Sequence, residues 1–243
     1  MRVLIYGAGV IGCLYASLLA EKSIDTAIYA RGNRLEQLRK YGLRYFKEGK
    51  ICKANAKVID ILPPSDCYDF IFLTVRENQL HNALRELADN QSPTIVTMVN
   101  SLENYRDWEE LCGVGRILPA FPGAGGGFDE NGILDAALTP RLIQPTTFAE
   151  IDGRETSRTK LLNKLFRIAG IPCQLVGDMH AWQLCHLALV VPLADAYYDT
   201  QIPEKAAEDY AVMQKTAKQV KKNLNDLREK GIVLSPRKMQ LVC

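Results

Sequence analysis

Arg2-Val3-Leu4-Ile5-Tyr6-Gly7-Ala8-Gly9-Val10-Ile11-Gly12 governs how the rest of this 243-residue chain is interpreted. Its first five residues are an apolar run rich in β-branched and aromatic side chains, as expected of a strand buried on both faces of a parallel sheet. Three glycines follow at G-x-G-x-x-G spacing. From Val10 to Lys22 the apolar residues Ile11, Leu14, Tyr15, Leu18 and Leu19 then recur at helical intervals. In such a turn Gly7 permits the sharp bend, Gly9 lets bare backbone approach a pyrophosphate, and Gly12 lets the helix lie close to the strand. The helix start presents unpaired N–H groups and a partial positive charge to the phosphates. Asp25 to Ala30 reads as the second strand of a βαβ unit. Alone the glycine spacing is a weak signal; between a strand and a helix it is a strong one for a dinucleotide.

The end of that second strand bears on which dinucleotide. An NAD site commonly has Asp or Glu about 20 residues past the glycines, accepting from a ribose hydroxyl. Here the sequence is Tyr29-Ala30-Arg31-Gly32-Asn33-Arg34, with no carboxylate. The planar fork of Arg31 suits the adenine and a 2′-phosphate, and Arg34 offers a second charge. The expectation is therefore NADP, set against a pair of solvated surface arginines.

Composition narrows the class. An apolar content of 47% and a charged content of 24% are those of a globular protein, and the net charge of +2 lacks the basic bias of a nucleic-acid binder. Seven scattered cysteines without C-x-x-C imply neither a disulfide framework nor a zinc site, and point to a reducing, cytoplasmic setting. The chain enters a strand at once, so no signal peptide is expected. The apolar run around Leu184 to Ala196 is interrupted by His186, Pro192 and Asp195 and is too short to span a bilayer.

Further along, Leu35 to Lys40 reads as a short helix and Gly42 to Ile59 as a hairpin at the sheet edge. Strands are expected at Tyr68 to Val75, Thr94 to Val99, Arg116 to Phe121 and Ile171 to Val176. Helices are expected through Leu80, Leu84 and Leu87, after Asn100-Ser101 to about Leu111, and over Thr156 to Ala169. Pro122 to Gly127 reads as a glycine loop that either flexes over a nicotinamide or forms a surface turn, and Gly132 to Ile151 as further β structure. The strand pattern stops near Gly177. Asp178 to Asp199 reads as a helix capped by Asp178 and kinked at Pro192, and Pro203 to Lys230 as one amphipathic helix with a solvated lysine face and Gly231 as its cap. The fold class is thus α/β, with a doubly wound Rossmann sheet over residues 1–176 and a smaller, shortened all-α domain over 177–243.

These features together resemble the ketopantoate reductases (2-dehydropantoate 2-reductases), within the 6-phosphogluconate dehydrogenase-like superfamily. The resemblance rests on Gly7-Ala8-Gly9-Val10-Ile11-Gly12, Arg31, Leu73-Thr74-Val75-Arg76, Met98-Val99-Asn100-Ser101 and the helix around Trp182 and His186. It implies an NADPH-dependent reduction of a 2-oxo acid in pantothenate biosynthesis, in a cleft between a Rossmann domain and a helical domain. It also implies that Asn100 contacts cofactor and substrate, that Arg76 stands where the family has a cofactor-contacting Lys, and that Ala124 lies near a cofactor-contacting loop. His186 falls at the family's catalytic Lys, while Val190 and Ala194 fall where substrate-holding asparagines occur. The family's acidic residue of the last third would lie past Cys243, and a partner subunit could close that side of the cleft as a homodimer.

Hydride delivery to a ketone builds negative charge on oxygen, which calls for a proton or a strong hydrogen-bond donor. His186 as imidazolium could supply it, with Asn100 orienting the carbonyl; equally, His186 could be a packed histidine. His180 and His186 do not share a helix face, so no metal site is expected, and Cys185 reads as structural. The expected partners are a small-molecule 2-oxo acid, no nucleic acid and no membrane. Two other readings stand beside the reductase: a non-catalytic or degenerate NADP-binding paralogue acting as a redox sensor, and a methyltransferase, against which Arg31 argues.

Overall fold

The computed structural model describes residues 1–200, 203–236 and 239, with Pro203 and Glu204 described as backbone only. Its chain divides into two units, Met1–Gly177 and Asp178–Cys243. In the first, β1 (Arg2–Tyr6), α1 (Val10–Glu21), β2 (Asp25–Tyr29), α2 (Gly32–Tyr41), β3 (Leu43–Lys47), β4 (Lys50–Ala54) and β5 (Lys57–Ile59) are followed by β6 (Phe70–Leu73), α3 (Leu80–Leu87), β7 (Ile95–Thr97) and α4 (Tyr105–Cys112). Then come β8 (Ile117–Phe121), β9 (Ala124–Phe128), β10 (Leu134–Leu138), β11 (Thr146–Phe148), α5 (Ser157–Ile168) and β12 (Cys173–Leu175).

Eight strands form the main sheet in the order β12-β11-β8-β7-β6-β1-β2-β5. From β5 to β8 all neighbours run parallel, and β11 turns antiparallel to β8. This is the strand order of a Rossmann sheet, with β1 at its centre next to the point where the winding reverses. Val3, Ile5, Phe70 and Phe72 join one core cluster with Leu14, Tyr15 and Leu19 of α1 and Phe166 of α5. The intervening Leu4, Ile71 and Leu73 are also fully buried. Because strand residues alternate faces, burial at every position means both faces are covered, which is why these strands read as unbroken apolar runs.

The hairpin of β3 and β4 differs from expectation. It leaves the main sheet to β5 and instead builds a second, four-stranded sheet in the order β4-β3-β10-β9. Helix α1 contacts strands of both sheets, so the small sheet covers its outer side and buries Leu43, Tyr45 and Leu134 in the shared cluster. The glycine run is a second correction. Rather than a loop, it is the edge strand β9, paired antiparallel with β10 from Ala124↔Leu138 to Phe128↔Leu134. Close backbone packing accounts for two of its glycines: a Cβ on Gly126, at φ +149°, would lie 2.3 Å from the Asp135 carbonyl oxygen, and one on Gly123 2.4 Å from that of Gln144, whereas a Cβ on Gly125 or Gly127 would meet nothing within 4 Å.

The second unit holds α6 (Met179–Thr200), α7 (Pro203–Glu208) and α8 (Tyr210–Glu229). Asp178 Oδ1 accepts from the Ala181 backbone N–H at 2.9 Å, as an N-cap should. Helix α6 runs on through Pro192. The single helix expected from Pro203 is instead two, because Asp209 caps a fresh start by accepting from the N–H groups of Ala211 and Val212. Tyr210, the first residue of α8, is 80% exposed. Gly231, at φ +80°, ends α8, and the Ile232 N–H reaches back to the Leu227 carbonyl. Cys185, Ala188, Val220 and Leu224 form this unit's own core, so Cys185 is structural. The lysines at 215, 218, 221 and 222 face solvent.

Among the described residues no helix is long and apolar enough to cross a membrane, and no group of His, Cys, Asp or Glu is arranged to hold a metal ion. The described cysteines are all free thiols, and Cys243 lies outside the described residues.

Candidate dinucleotide site

The glycine turn sits at the carboxyl end of β1, where open α/β sheets bind their ligands. Gly7 has φ +121°, and a Cβ there would meet the Thr74 carbonyl oxygen at 2.8 Å. A Cβ on Gly12 would lie 2.0 Å from the Gly7 carbonyl oxygen and 2.5 Å from Thr74 Oγ1. A Cβ on Gly9, by contrast, would meet nothing within 4 Å. Gly9 is the N-cap of α1 and makes no side-chain cap bond, so no cap side chain occupies the first amides of the helix, and the space at the Gly9 Cβ position is open. The arrangement fits a pyrophosphate: two glycines are demanded by packing and one by the space it leaves in front.

The turn is held from three sides. The Gly7 N–H donates to the Tyr29 carbonyl at 3.3 Å. The Thr74 hydroxyl donates to the Gly7 carbonyl at 2.8 Å. Arg34 Nε donates to the Ala8 carbonyl at 3.2 Å, and its guanidinium also reaches Gln37, the Gly132 carbonyl and the Cys13 sulfur while stacking 4.0 Å over the Phe128 ring. Arg34 is therefore committed to tying α2, the glycine turn and the small sheet together. Most of its N–H donors are used within the fold, though on partners that carry no charge.

Arg31 behaves differently. It stands at the N-cap of α2, 57% exposed, with its guanidinium carbon 5.5 Å from the Tyr29 ring centroid. The Tyr29 ring stacks on that of Tyr6, 4.4 Å between centroids and 8° between planes. Arg31 Nη1 donates to Glu86 Oε1 at 3.0 Å, and the Tyr6 hydroxyl donates to Glu86 Oε2. Burial, reinforced by that hydrogen bond to the carboxylate, holds the Tyr6 phenol well above its ordinary pKa, so it stays a donor. Burial is the largest single influence on Arg31 and works against its charge, but the hydrogen bond to Glu86 and the electrostatic attraction of Tyr6, Glu86 and Tyr29 together outweigh it and leave the guanidinium more firmly protonated.

Arg76 is exposed directly after β6, its backbone N–H donating to Gln79 Oε1 at 3.4 Å. Asn100 is exposed just past β7. Ser101 turns inward at 2% exposure, and its hydroxyl accepts from the Glu103 N–H. Ala124 opens β9 and packs against the main cluster, as Ala8 and Val10 also do. In the second unit His186 stacks on Trp182, 5.2 Å between centroids and 6° between planes. Burial lowers its imidazole pKa, so the neutral ring is the favoured form near pH 7. Sequence reasoning missed Glu86, Tyr6 and the Thr74 hydroxyl. Thr74 was legible only as part of a motif, and Glu86 lies on a helix 55 residues from the arginine it binds.

The model of the family "Ketopantoate reductase PanE/ApbA" matches residues 3–143, more than half of the chain. The protein belongs to the ketopantoate reductase family. A ketopantoate reductase-like chain of this kind has a curated relative in the 2-dehydropantoate 2-reductase of Archaeoglobus fulgidus, 27% identical over 178 residues, 73% of this chain and 57% of the relative. The chain thus spans little more than half the length of that relative. Among solved structures, the PanE/ApbA family ketopantoate reductase from Ralstonia eutropha JMP134 superposes with a TM-score of 0.80 at 18% identity, over 99% of this chain and 78% of that one. D-mandelate dehydrogenase in ternary complex with NADH and anilino(oxo)acetate gives a TM-score of 0.76 at 17% identity, over 98% and 77%. At such identities the two structures speak for the ketopantoate reductase fold.

Proposed function

We propose that this ketopantoate reductase family member binds NADPH in its first unit and reduces a 2-oxo acid. The observation that carries the reading is the glycine turn, with Gly7 and Gly12 locked against Thr74 and open space in front of Gly9. Ala8, Val10 and Ile11 complete the turn, and the start of α1 would receive the pyrophosphate. Arg31, stacked beside Tyr29, would take the adenine and the 2′-phosphate through its fork. Arg76 and Ala124 are further candidates for cofactor contact. When bound, the nicotinamide supplies the hydride. This chain's own residues must then orient the ketone and satisfy the charge growing on its oxygen. Asn100 offers an amide N–H for orientation, and His186 an imidazole N–H as donor.

The depressed basicity of His186 favours a second reading, a dinucleotide-binding protein without turnover, because a neutral imidazole is a poorer acid than an ammonium. One experiment separates the two: NADPH oxidation followed by absorbance against a panel of 2-oxo acids, ketopantoate and an aryl-substituted oxoacetate among them. Turnover with a panel member is expected. Tight NADPH binding with silence across the panel would establish the non-catalytic reading.

A further inference from the structure

The sequence places no carboxylate after the second strand, yet the fold delivers one there. Glu86 arrives from α3, and both of its oxygens are engaged: Oε1 accepts from Arg31 Nη1 at 3.0 Å, Oε2 from the Tyr6 hydroxyl. Tyr6 is 2% exposed and stacked on Tyr29, so its hydroxyl is a fixed anchor that holds the carboxylate at the arginine. The adenosine end of the site therefore carries both chemistries that separate the two nicotinamide cofactors. A guanidinium attracts a 2′-phosphate, and a carboxylate accepts from a 2′-hydroxyl while repelling a phosphate.

We propose that Glu86 is a specificity-determining residue, competing with the 2′-phosphate of NADPH for Arg31 and thereby leaving room for NADH. This rests on the reading of Arg31 as the phosphate-binding residue. Glu86 and Arg31 are 42% and 57% exposed, and an ion pair so exposed to water is weak enough for a phosphate to displace. The carboxylate stays tethered by Tyr6 even then, so NADPH must bind beside a like charge. NADH carries no such charge and finds in Glu86 an acceptor for its ribose hydroxyl.

The test is a set of fluorescence titrations of the full chain with NADPH and with NADH, on the wild type, Glu86→Gln, Glu86→Ala and Arg31→Ala/Glu86→Gln. Removing the charge should raise the NADPH-over-NADH preference by about three- to tenfold. The gain should come mainly from tighter NADPH binding, and it should shrink when Arg31 is also replaced. Glu86→Ala serves as a second route to the same preference should Glu86→Gln fold poorly. A preference that stays put or falls in the folded variants, while the wild type binds NADPH, overturns the role of Glu86 and leaves the NADPH reading intact. Binding of neither dinucleotide by the wild type overturns both.

Discussion

At the scale of single residues, His186 is where chemistry and packing make opposite demands. Its ring lies flat on Trp182, and burial favours the neutral form. The unfolded chain holds a histidine near its ordinary value of about 6.5, so below that pH the unfolded state binds the extra proton more readily. Its contribution to stability is therefore complete above about pH 6.5 and declines on acidification. If the imidazolium is the acid of the reaction, turnover runs the other way and rises as pH falls. His186→Ala should lower kcat by about 10²- to 10⁴-fold with NADPH affinity little changed. Steady-state kinetics from pH 5 to 8 beside thermal melts would check both, and an unchanged rate would leave His186 as a packing residue.

At the scale of the element, β1, the glycine turn and α1 act as one piece. Leu4 and Ile5 of β1 are fully buried, and Gly12 lets the first turn of α1 lie against the Gly7 carbonyl. Gly12→Ala would place a methyl 2.0 Å from that oxygen, and only a shift of backbone could relieve it. The expected result is a stability loss of about 1–3 kcal/mol together with a more than tenfold loss of NADPH affinity, read by melting and titration. Gly9→Ala meets nothing within 4 Å in the protein, so it should leave the melting temperature nearly unchanged and weaken only the cofactor. Equal behaviour of the two variants would refute the division of labour assigned to these glycines.

At the scale of the whole molecule, the glycine turn, Arg31, Glu86, Arg76 and Asn100 all belong to the unit Met1–Gly177, while His186 belongs to the other. Gly177 is exposed and outside regular structure, a place where a chain can be cut. A fragment of residues 1–177 is expected to bind NADPH within about threefold of the full chain and, on the proposed role of His186 as donor, to show no turnover. Failure of the folded fragment to bind would move part of the cofactor site into the second unit.

Much of this was legible along the chain. The periodicity of β1, α1, β6 and β8 and the glycine spacing are local properties, set by two backbone periods and by where a Cβ can fit, so they read directly from residue order. Asp178 and Gly231 as helix ends are equally local. Other features depended on partners distant in sequence. Whether Gly123 to Gly127 form a loop or an edge strand turned on β10 pairing with them, and whether β3 and β4 join the main sheet turned on α1 lying between. Arg31 and Arg34 look alike in sequence and diverge in space: one meets a carboxylate from α3, the other a carbonyl, a thiol and an aromatic ring. Local order fixes which elements form, because those energies lie within a few residues. Charge and hydrogen bonding act between whatever the fold brings within about 3 Å, so the roles of Arg34 and Glu86 emerged only once the chain was folded.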